Sequence, residues 1–245
     1  MVFSKFFYQE YRNLRIIILF IAFLILYIAL HLTYIDADTP ESLSNNAGAF
    51  CDEGYKTLCA RNLVFFGQTH WTDQDEYKGW INGSPITVYY NYFIFKTFGV
   101  SLKNARIGNL LFAFGCLAIF YSILKKSYDF RTAIVAVLIA SFSQVFFFYS
   151  RIALFEFKMM FFLLLGILFC IKSQHSKLYV VAALLSFYAA YYCKSSAVLF
   201  YIIGLIYFIL SANEAFFLKK MLSKNGLIAL MLISVVFFIT LQGAF

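Results

Sequence analysis

Long apolar runs, separated by short loops rich in lysine and arginine, recur along most of this sequence. The chain has 245 residues, of which 62% are hydrophobic and 13% are charged. In a bilayer each backbone amide must find its partner inside the protein, and a helix meets that demand within one segment. The pattern therefore predicts an all-α membrane protein. The net charge of +8 then reflects membrane orientation, and a nucleic-acid partner is not expected.

Seven runs have the composition of a membrane-spanning helix. They are Ile16–Ile35, Ile107–Leu124, Thr132–Tyr149, Ile152–Ile171, Leu178–Cys193, Ala197–Ala212 and Leu227–Leu241. Basic residues precede the first run, and alternate later loops are also basic. Because basic loops remain in the cytoplasm, seven spans with a cytoplasmic N-terminus place these clusters on one side of the membrane.

The loop between the first two runs, residues 36–106, contains eight of the twelve carboxylates in the chain. Two of its segments, Asp52–Phe66 and Ile86–Phe98, have helical spacing of apolar residues but are too short or too charged to cross a hydrocarbon core of ~30 Å. We expect both to be helices that lie in the outer interface, with Glu53 away from the apolar face of the first. The concentration of acids suggests that this loop carries the chemistry.

Acidic and basic residues occur at three outer connections of this topology. They are Asp52 and Glu53 in the first, Arg151 and Glu156 in the second, and Lys194 in the third. A carboxylate can take a proton from an attacking hydroxyl, and an ammonium at headgroup depth can stabilise a departing phosphate. The set therefore favours transfer of a group from a lipid phosphate.

These residues also have structural interpretations. Asp52 can be an N-cap, and Lys194 can extend to the interface without a further role. Glu156 can form an ion pair with Lys158 or Arg151 at a helix end. The five cysteines show no metal-ligand spacing. No cofactor is implied, and dependence on a divalent metal is left open.

Four segments follow the first apolar run in a recognisable order: DEGYKTLCARNLVFFG, GSPITVYYNYFIFKTFGVSLKNARIGNLL, YSRIALFEF and YYCKSSAVL. Together they resemble the N-terminal module of GT-C class glycosyltransferases, in the branch of protein O-mannosyltransferases and bacterial lipid A aminoarabinose transferases. The resemblance makes residues 1–245 a single transmembrane module, with residues 36–106 as its first external loop and no counterpart of the family's C-terminal half. It departs at Gly83-Ser84-Pro85-Ile86, where members often have Lys-Pro-Pro, so that a cation and a proline are absent here.

The resemblance implies an inverting glycosyltransferase. Such an enzyme moves a sugar from a polyprenyl phosphate or diphosphate to a hydroxyl of a lipid, glycan or protein on the outer face. By the same resemblance Asp52 is the catalytic base, Glu53 its orienting partner and Glu156 the second-loop acid. The remaining positions are assigned to substrate binding: Lys194 as the ligand of the polyprenyl phosphate, with Tyr55, Lys78, Arg106 and Arg151.

The resemblance also implies a multi-pass protein of the bacterial cytoplasmic (inner) membrane, surrounded by lipid, with its active site on the periplasmic face. Two other functions remain open. A transporter or flippase of lipid-linked sugar is one, although transport sites tend to place ionisable groups near the bilayer midplane. A non-catalytic assembly subunit with a partner chain is the other, and the short length of the chain keeps it open.

Overall fold

The computed structural model describes residue 18 and residues 21–35, 49–69, 84–173 and 176–202, without the side chains of residues 49–52 and 177. Over these ranges every regular element is helical, as the sequence predicts. The helices are α1 (Ile21–Leu32), α2 (Ala49–Phe66), α3 (Pro85–Phe98), α4 (Leu102–Ser127), α5 (Phe130–Phe142), α6 (Gln144–Ser150), α7 (Glu156–Lys172) and α8 (Lys177–Cys193). A 3-10 turn, Ser195–Ala197, follows α8.

The chain divides into two compact units, Met1–Asp38 and Thr39–Phe245. In the first unit, Tyr27 and His31 of α1 lie one turn apart, with ring centroids separated by 4.2 Å and Nδ1 of the histidine 2.8 Å from the tyrosine carbonyl. The second unit contains α2 to α8 and all of the candidate site residues that are described below.

The turn between α3 and α4 is fixed by local hydrogen bonds. Proline suits the first position of α3 because its φ is already helical and its missing N–H would have no partner there. The helix ends at Gly99, whose φ of 91° lies in the left-handed region. Asn104 then donates from its side-chain amide to the carbonyls of Phe98 and Gly99, at 2.8 and 2.9 Å. Ser101 caps α4 by accepting the Asn104 backbone N–H at 3.1 Å.

The predicted span Thr132–Tyr149 is not a single continuous helix. Helices α5 and α6 are separate and meet at an angle of 66°. Ser143 lies between them with an extended backbone, φ −61° and ψ 135°, and its Oγ accepts the backbone N–H of Phe146 at 3.2 Å. A serine that caps a new helix therefore ends the old one, without the glycine or proline that usually marks such a bend.

Small residues allow the later helices to approach closely. A Cβ on Gly166 of α7 would lie 2.6 Å from the Phe187 ring of α8, and one on Gly115 of α4 would lie 2.7 Å from the Phe161 ring of α7. A separate apolar cluster joins α2, α3 and α4; its buried members include Cys59, Ala60, Val88, Phe95 and Ala105. This packing brings the ends of α2, α7 and α8 to the candidate site.

Among the helices of the described ranges, α4 alone is long and apolar enough to cross a membrane, and the bent pair of α5 and α6 adds a second if it is taken as one span. Ile21–Leu32 and Leu178–Cys193 are apolar but shorter. Most of the predicted span Ala197–Ala212, and all of Leu227–Leu241, lie outside the described residues. The seven-span topology and the single module over residues 1–245 therefore stay predictions.

Candidate active site

Helix α2 covers the predicted helix Asp52–Phe66 and carries a completely buried glutamate. Oε1 of Glu53 accepts a hydrogen bond from Nε of Arg106 at 2.9 Å and another from the backbone N–H of Ala153 at 2.6 Å. Oε2 accepts from Nη2 of Arg106 at 2.6 Å. One carboxylate thus joins α2, α4 and the connection between α6 and α7.

The expectation that Glu53 faces away from the buried side of its helix is wrong. Its carboxylate lies on the same buried side as Cys59 and Ala60. An isolated carboxylate would not be stable there, but a two-point contact with a guanidinium and a backbone N–H compensates much of the lost hydration. Arg106, assigned to substrate binding from the sequence, is itself engaged in this contact and is 2% exposed.

Other positions assigned from the sequence are placed only in part. Asp52 directly precedes Glu53 in α2, but its side chain lies outside the described residues. Lys78 lies outside them altogether. Tyr55 is on the exposed side of α2, with 41% of its surface accessible. The roles given to these three residues stay predictions.

Glu156 and Lys194, predicted from separate connections, form an ion pair across 38 residues of sequence. The ammonium of Lys194 donates to Oε1 of Glu156. The lysine directly follows α8 on an extended backbone, with φ −159° and ψ 126°, while the glutamate opens α7. Close packing of α7 against α8, joined by a short connection, brings these two helix ends together.

The pair is open to the surroundings on one side. The Lys194 and Glu156 side chains are 33% and 36% exposed. Yet Oε2 of Glu156 is itself buried and has no hydrogen-bond partner within the described part of the chain. A buried carboxylate oxygen usually accepts a hydrogen bond. The hydrogen-bonding capacity of this oxygen is therefore left unused by the described residues.

The first turn of α3 also reaches the Lys194 region. Thr87 is buried, and its Oγ1 donates to the carbonyl of Cys193 at 3.3 Å. This bond connects the start of α3 to the end of α8, one residue before Lys194. The prediction of a helix over Ile86–Phe98 is confirmed by α3, and the Pro85 that begins this helix lies close in sequence to the contact.

Lys56 is a member of this neighbourhood that sequence reasoning did not select. Its Nζ lies 5.1 Å from the centroid of the Phe155 ring, and Phe155 directly precedes Glu156. The signal was present in the sequence, because Lys56 follows Asp52 by four residues and so lies on the same side of α2. Helix α2 thus brings the Lys56 ammonium, as well as the Glu53 carboxylate, to the segment that leads into α7.

Arg151 ends α6, and its guanidinium lies 5.5 Å from the Phe147 ring centroid. Partial burial, and then the nearby charge of Arg106, lower the pKa of Arg151 from its ordinary value. An arginine remains charged at neutral pH after such a change. The connection between α6 and α7 therefore carries a positive charge next to the Glu53–Arg106 pair, which suits an anionic substrate.

The same ranges offer no ready-made metal site. No three histidine, cysteine, aspartate or glutamate residues of the described chain lie together in a way that could hold a metal ion. The expectation that no cofactor is needed stays a prediction, and so does the open question of a divalent metal.

Comparison with known families gives one match. The family model described as Dolichyl-phosphate-mannose-protein mannosyltransferase matches residues 82–239, which is more than half of the 245-residue chain. This range contains Glu156 and Lys194 and begins after α2. The comparison with curated proteins gives no match, and the comparison with solved structures gives none either.

Proposed function

Because the chain belongs to the dolichyl-phosphate-mannose-protein mannosyltransferase family, a family of GT-C type membrane glycosyltransferases, we propose that it is an inverting glycosyltransferase with a lipid-linked donor. The donor is a polyprenyl phosphate or diphosphate that carries a hexose or pentose. The acceptor is a hydroxyl of a lipid, a glycan or a protein. The reaction takes place at the outer, periplasmic face of a bacterial cytoplasmic membrane.

The chemical step is a single displacement. The acceptor oxygen attacks the anomeric carbon as the bond from that carbon to the donor phosphate oxygen breaks. Asp52 takes the hydroxyl proton, and the electron pair of the broken bond leaves on the phosphate. The products are the glycosylated acceptor, with inverted anomeric configuration, and the free polyprenyl phosphate or diphosphate. Lys194 stabilises the charge that grows on the leaving oxygen, since an ammonium in a site partly shielded from water is an effective partner for it.

The meeting of Glu156 with Lys194 is the observation that carries this proposal. An acid and an ammonium from distant parts of the sequence lie in contact, with one carboxylate oxygen left without a partner among the described residues. We assign that oxygen to a hydroxyl of the bound sugar or acceptor. The ammonium can exchange the carboxylate for a donor phosphate without leaving its position at the end of α8.

The Glu53–Arg106 pair supports the assignment of Asp52. Glu53 is anchored by hydrogen bonds to two other segments, so the backbone of the preceding residue is held as well. A catalytic carboxylate benefits from such support because small displacements weaken proton transfer. We therefore give Glu53 and Arg106 positioning roles, and leave donor contacts to Lys194, Arg151, Tyr55 and Lys78.

The decisive experiment measures sugar transfer in membranes that contain the full chain. Asp52→Asn should reduce transfer by at least about 10²-fold, because the amide cannot accept the proton. Asp129→Asn is the matched control: it changes an acid that caps α5, outside the proposed site, and should leave transfer unchanged. Undiminished transfer by Asp52→Asn, with normal insertion, would rule out this base.

The donor class is tested separately by mass spectrometry of lipids that remain with the purified protein. A polyprenyl phosphate or its sugar conjugate is the expected species. Its loss in Lys194→Met, with retention in Lys172→Met, would support the assigned contact, since Lys172 lies at the other end of α7. Equal retention of the lipid by both variants would contradict it.

A further inference from the structure

Lys158 lies in the first turn of α7 and is completely buried. Its Nζ donates to Oδ1 of Asn109 at 3.3 Å and to the carbonyl of Leu154 at 3.2 Å. No carboxylate oxygen of the described residues is paired with this ammonium within 4.0 Å. Burial of an unpaired ammonium is unfavourable, so its retention there requires an explanation.

Two aromatic rings also lie near the ammonium. The ring centroids of Tyr90 and Phe112 lie 5.7 and 6.0 Å from Nζ of Lys158. The Tyr90 hydroxyl donates to the carbonyl of Gly108 at 3.0 Å, and its ring meets that of Phe112 edge to face. These contacts give the charge partial compensation and fix its position between α3, α4 and α7.

Asn109 of α4 extends the network to the end of α6. While its Oδ1 accepts from Lys158, its Nδ2 lies 2.6 Å from the carbonyl of Ile152, 3.3 Å from that of Ser150 and 3.5 Å from that of Tyr149. Asn109 is also completely buried. Two buried side chains therefore lie within hydrogen-bond distance of four carbonyl groups in residues 149–155, which comprise the end of α6 and its connection to α7.

This segment, residues 149–155, supplies two elements of the candidate site. Its Ala153 N–H donates to Glu53, and it ends where Glu156 begins α7. Residues 151–155 are not helical. The backbone N–H groups of Arg151, Ile152 and Leu154 donate to nearby carbonyls, and these side-chain contacts add to that local turn structure.

We propose that Lys158 and Asn109 are positioning residues that lock residues 149–155 in place, so that Glu156 meets Lys194 and Ala153 meets Glu53. The catalytic consequence rests on the proposed function, whereas the lock itself is a property of the fold. Neither side chain contacts the substrate. They act by fixing the backbone of residues 149–155, which includes the Ala153 N–H that contacts Glu53 and leads directly into Glu156.

The first test needs no enzymatic activity. The segment contains Arg151, so limited trypsin digestion of the purified full chain reports its opening through the yield of peptides that end there. Lys158→Met has nearly the same side-chain shape but donates no hydrogen bond, and it should accelerate cleavage after Arg151 by about tenfold. Cleavage after Arg131, which is exposed in the first turn of α5, serves as the internal reference.

Two further variants complete this test. Lys96→Met removes an ammonium that bonds the Tyr92 hydroxyl near the far end of α3, and it should leave cleavage after Arg151 unchanged. Lys158→Gln retains an N–H donor without the charge, so it should restore much of the protection if Lys158→Met is poorly folded or strongly cleaved. Equal rates of trypsin cleavage after Arg151 in wild type, Lys158→Met and Asn109→Ala would contradict the proposal that these two side chains hold residues 149–155 in place.

The second test measures transfer. A positioning residue should alter the chemical step more than donor binding, so Lys158→Met is expected to lower kcat by about tenfold with the donor KM changed by less than about twofold. Lys158→Gln should recover part of kcat. A pure rise in KM, or no change in either constant, would contradict the catalytic consequence. If wild type itself transfers no sugar, the proposed function fails, and the trypsin result still decides whether the lock exists.

Discussion

The carboxylate of Glu53 and the guanidinium of Arg106 form a two-point ion pair, although 53 residues separate them in the sequence. Both side chains are buried, at 0% and 3% exposure. The backbone N–H of Ala153 completes the arrangement. Three segments of the second compact unit are thereby joined at one carboxylate, next to the residue proposed as the catalytic base.

The buried pair predicts a large loss of stability when one partner is removed. Glu53→Gln leaves the Arg106 guanidinium buried without its counter-charge, and should lower the free energy of unfolding by about 3–5 kcal/mol. Thermal unfolding of the detergent-solubilised protein measures the change. Glu156→Gln is the control, because its partly exposed pair should contribute about 0–1 kcal/mol. Similar unfolding temperatures for the two variants would contradict the buried pairing.

Loss of the partly exposed Glu156–Lys194 pair should reduce activity strongly and stability only slightly. Lys194→Met should reduce transfer by about 10²–10³-fold, because the growing negative charge on the leaving phosphate loses its ammonium. Its unfolding temperature should stay close to that of wild type. Lys172→Met, which removes an ammonium 5.8 Å from the Tyr179 ring at the opposite end of α7, should affect neither quantity. Normal transfer by Lys194→Met would remove the lysine from the mechanism.

Glycine substitutions test the close approach of α7 to α8. A methyl group on Gly166 would lie 2.6 Å from the buried ring of Phe187, so Gly166→Ala should destabilise the protein by about 1–3 kcal/mol. A methyl group on Gly54 of α2 would have nothing within 4 Å, so Gly54→Ala should raise stability by about 0.5–1 kcal/mol. Unfolding temperatures of the two variants measure the contrast. Stabilisation by both would show that the helices separate readily.

The Asp129 side chain that caps the start of α5 should stabilise the protein to an extent that depends on pH. Hydrogen bonds from the side chain and backbone of Thr132 lower the pKa of Asp129 from its ordinary 3.8. Since the folded state favours the carboxylate, its stabilising effect is complete above the ordinary pKa and is lost as the pH falls through the lowered value. The difference in unfolding temperature between wild type and Asp129→Ala should therefore shrink in strong acid.

A neutral cap supplies the control for this pH effect. Ser101 caps α4 through Oγ, and Ser101→Ala should cost about 1 kcal/mol regardless of pH. If the effect of Asp129→Ala also proved constant down to strong acid, the carboxylate would not be the group that stabilises α5.

Helix positions were largely predictable from the sequence, because apolar periodicity and capping residues act over a few neighbours. The helices expected over Asp52–Phe66, Ile86–Phe98 and Leu178–Cys193 are present as α2, α3 and α8. The bend at Ser143 was not predictable in the same way. Its serine competes with the helical ladder through a hydrogen bond that many helix-internal serines do not make.

The candidate site was predictable as a set of residues but not as a set of contacts. The sequence placed Glu156 and Lys194 at neighbouring connections, yet it assigned Glu53 to the wrong side of α2 and left Lys56 and Asn109 unselected. It considered Lys158 or Arg151 as the ion-pair partner of Glu156, whereas the partner is Lys194. Charge alone suggests that Glu53 is solvated. Its burial becomes favourable only when α4 brings Arg106 within hydrogen-bond distance.

The sequence by itself determined the helical class and which residue types stand at the helix ends, since both follow from short-range spacing and from the need to satisfy backbone amides. Only the tertiary structure decided which partner each charged group meets. Glu53 with Arg106, Glu156 with Lys194 and Lys158 with Asn109 are separated by 53, 38 and 49 residues. Their pairing depends on helix packing, because the stability of a buried charge is set by the partner that packing delivers and not by its sequence neighbours.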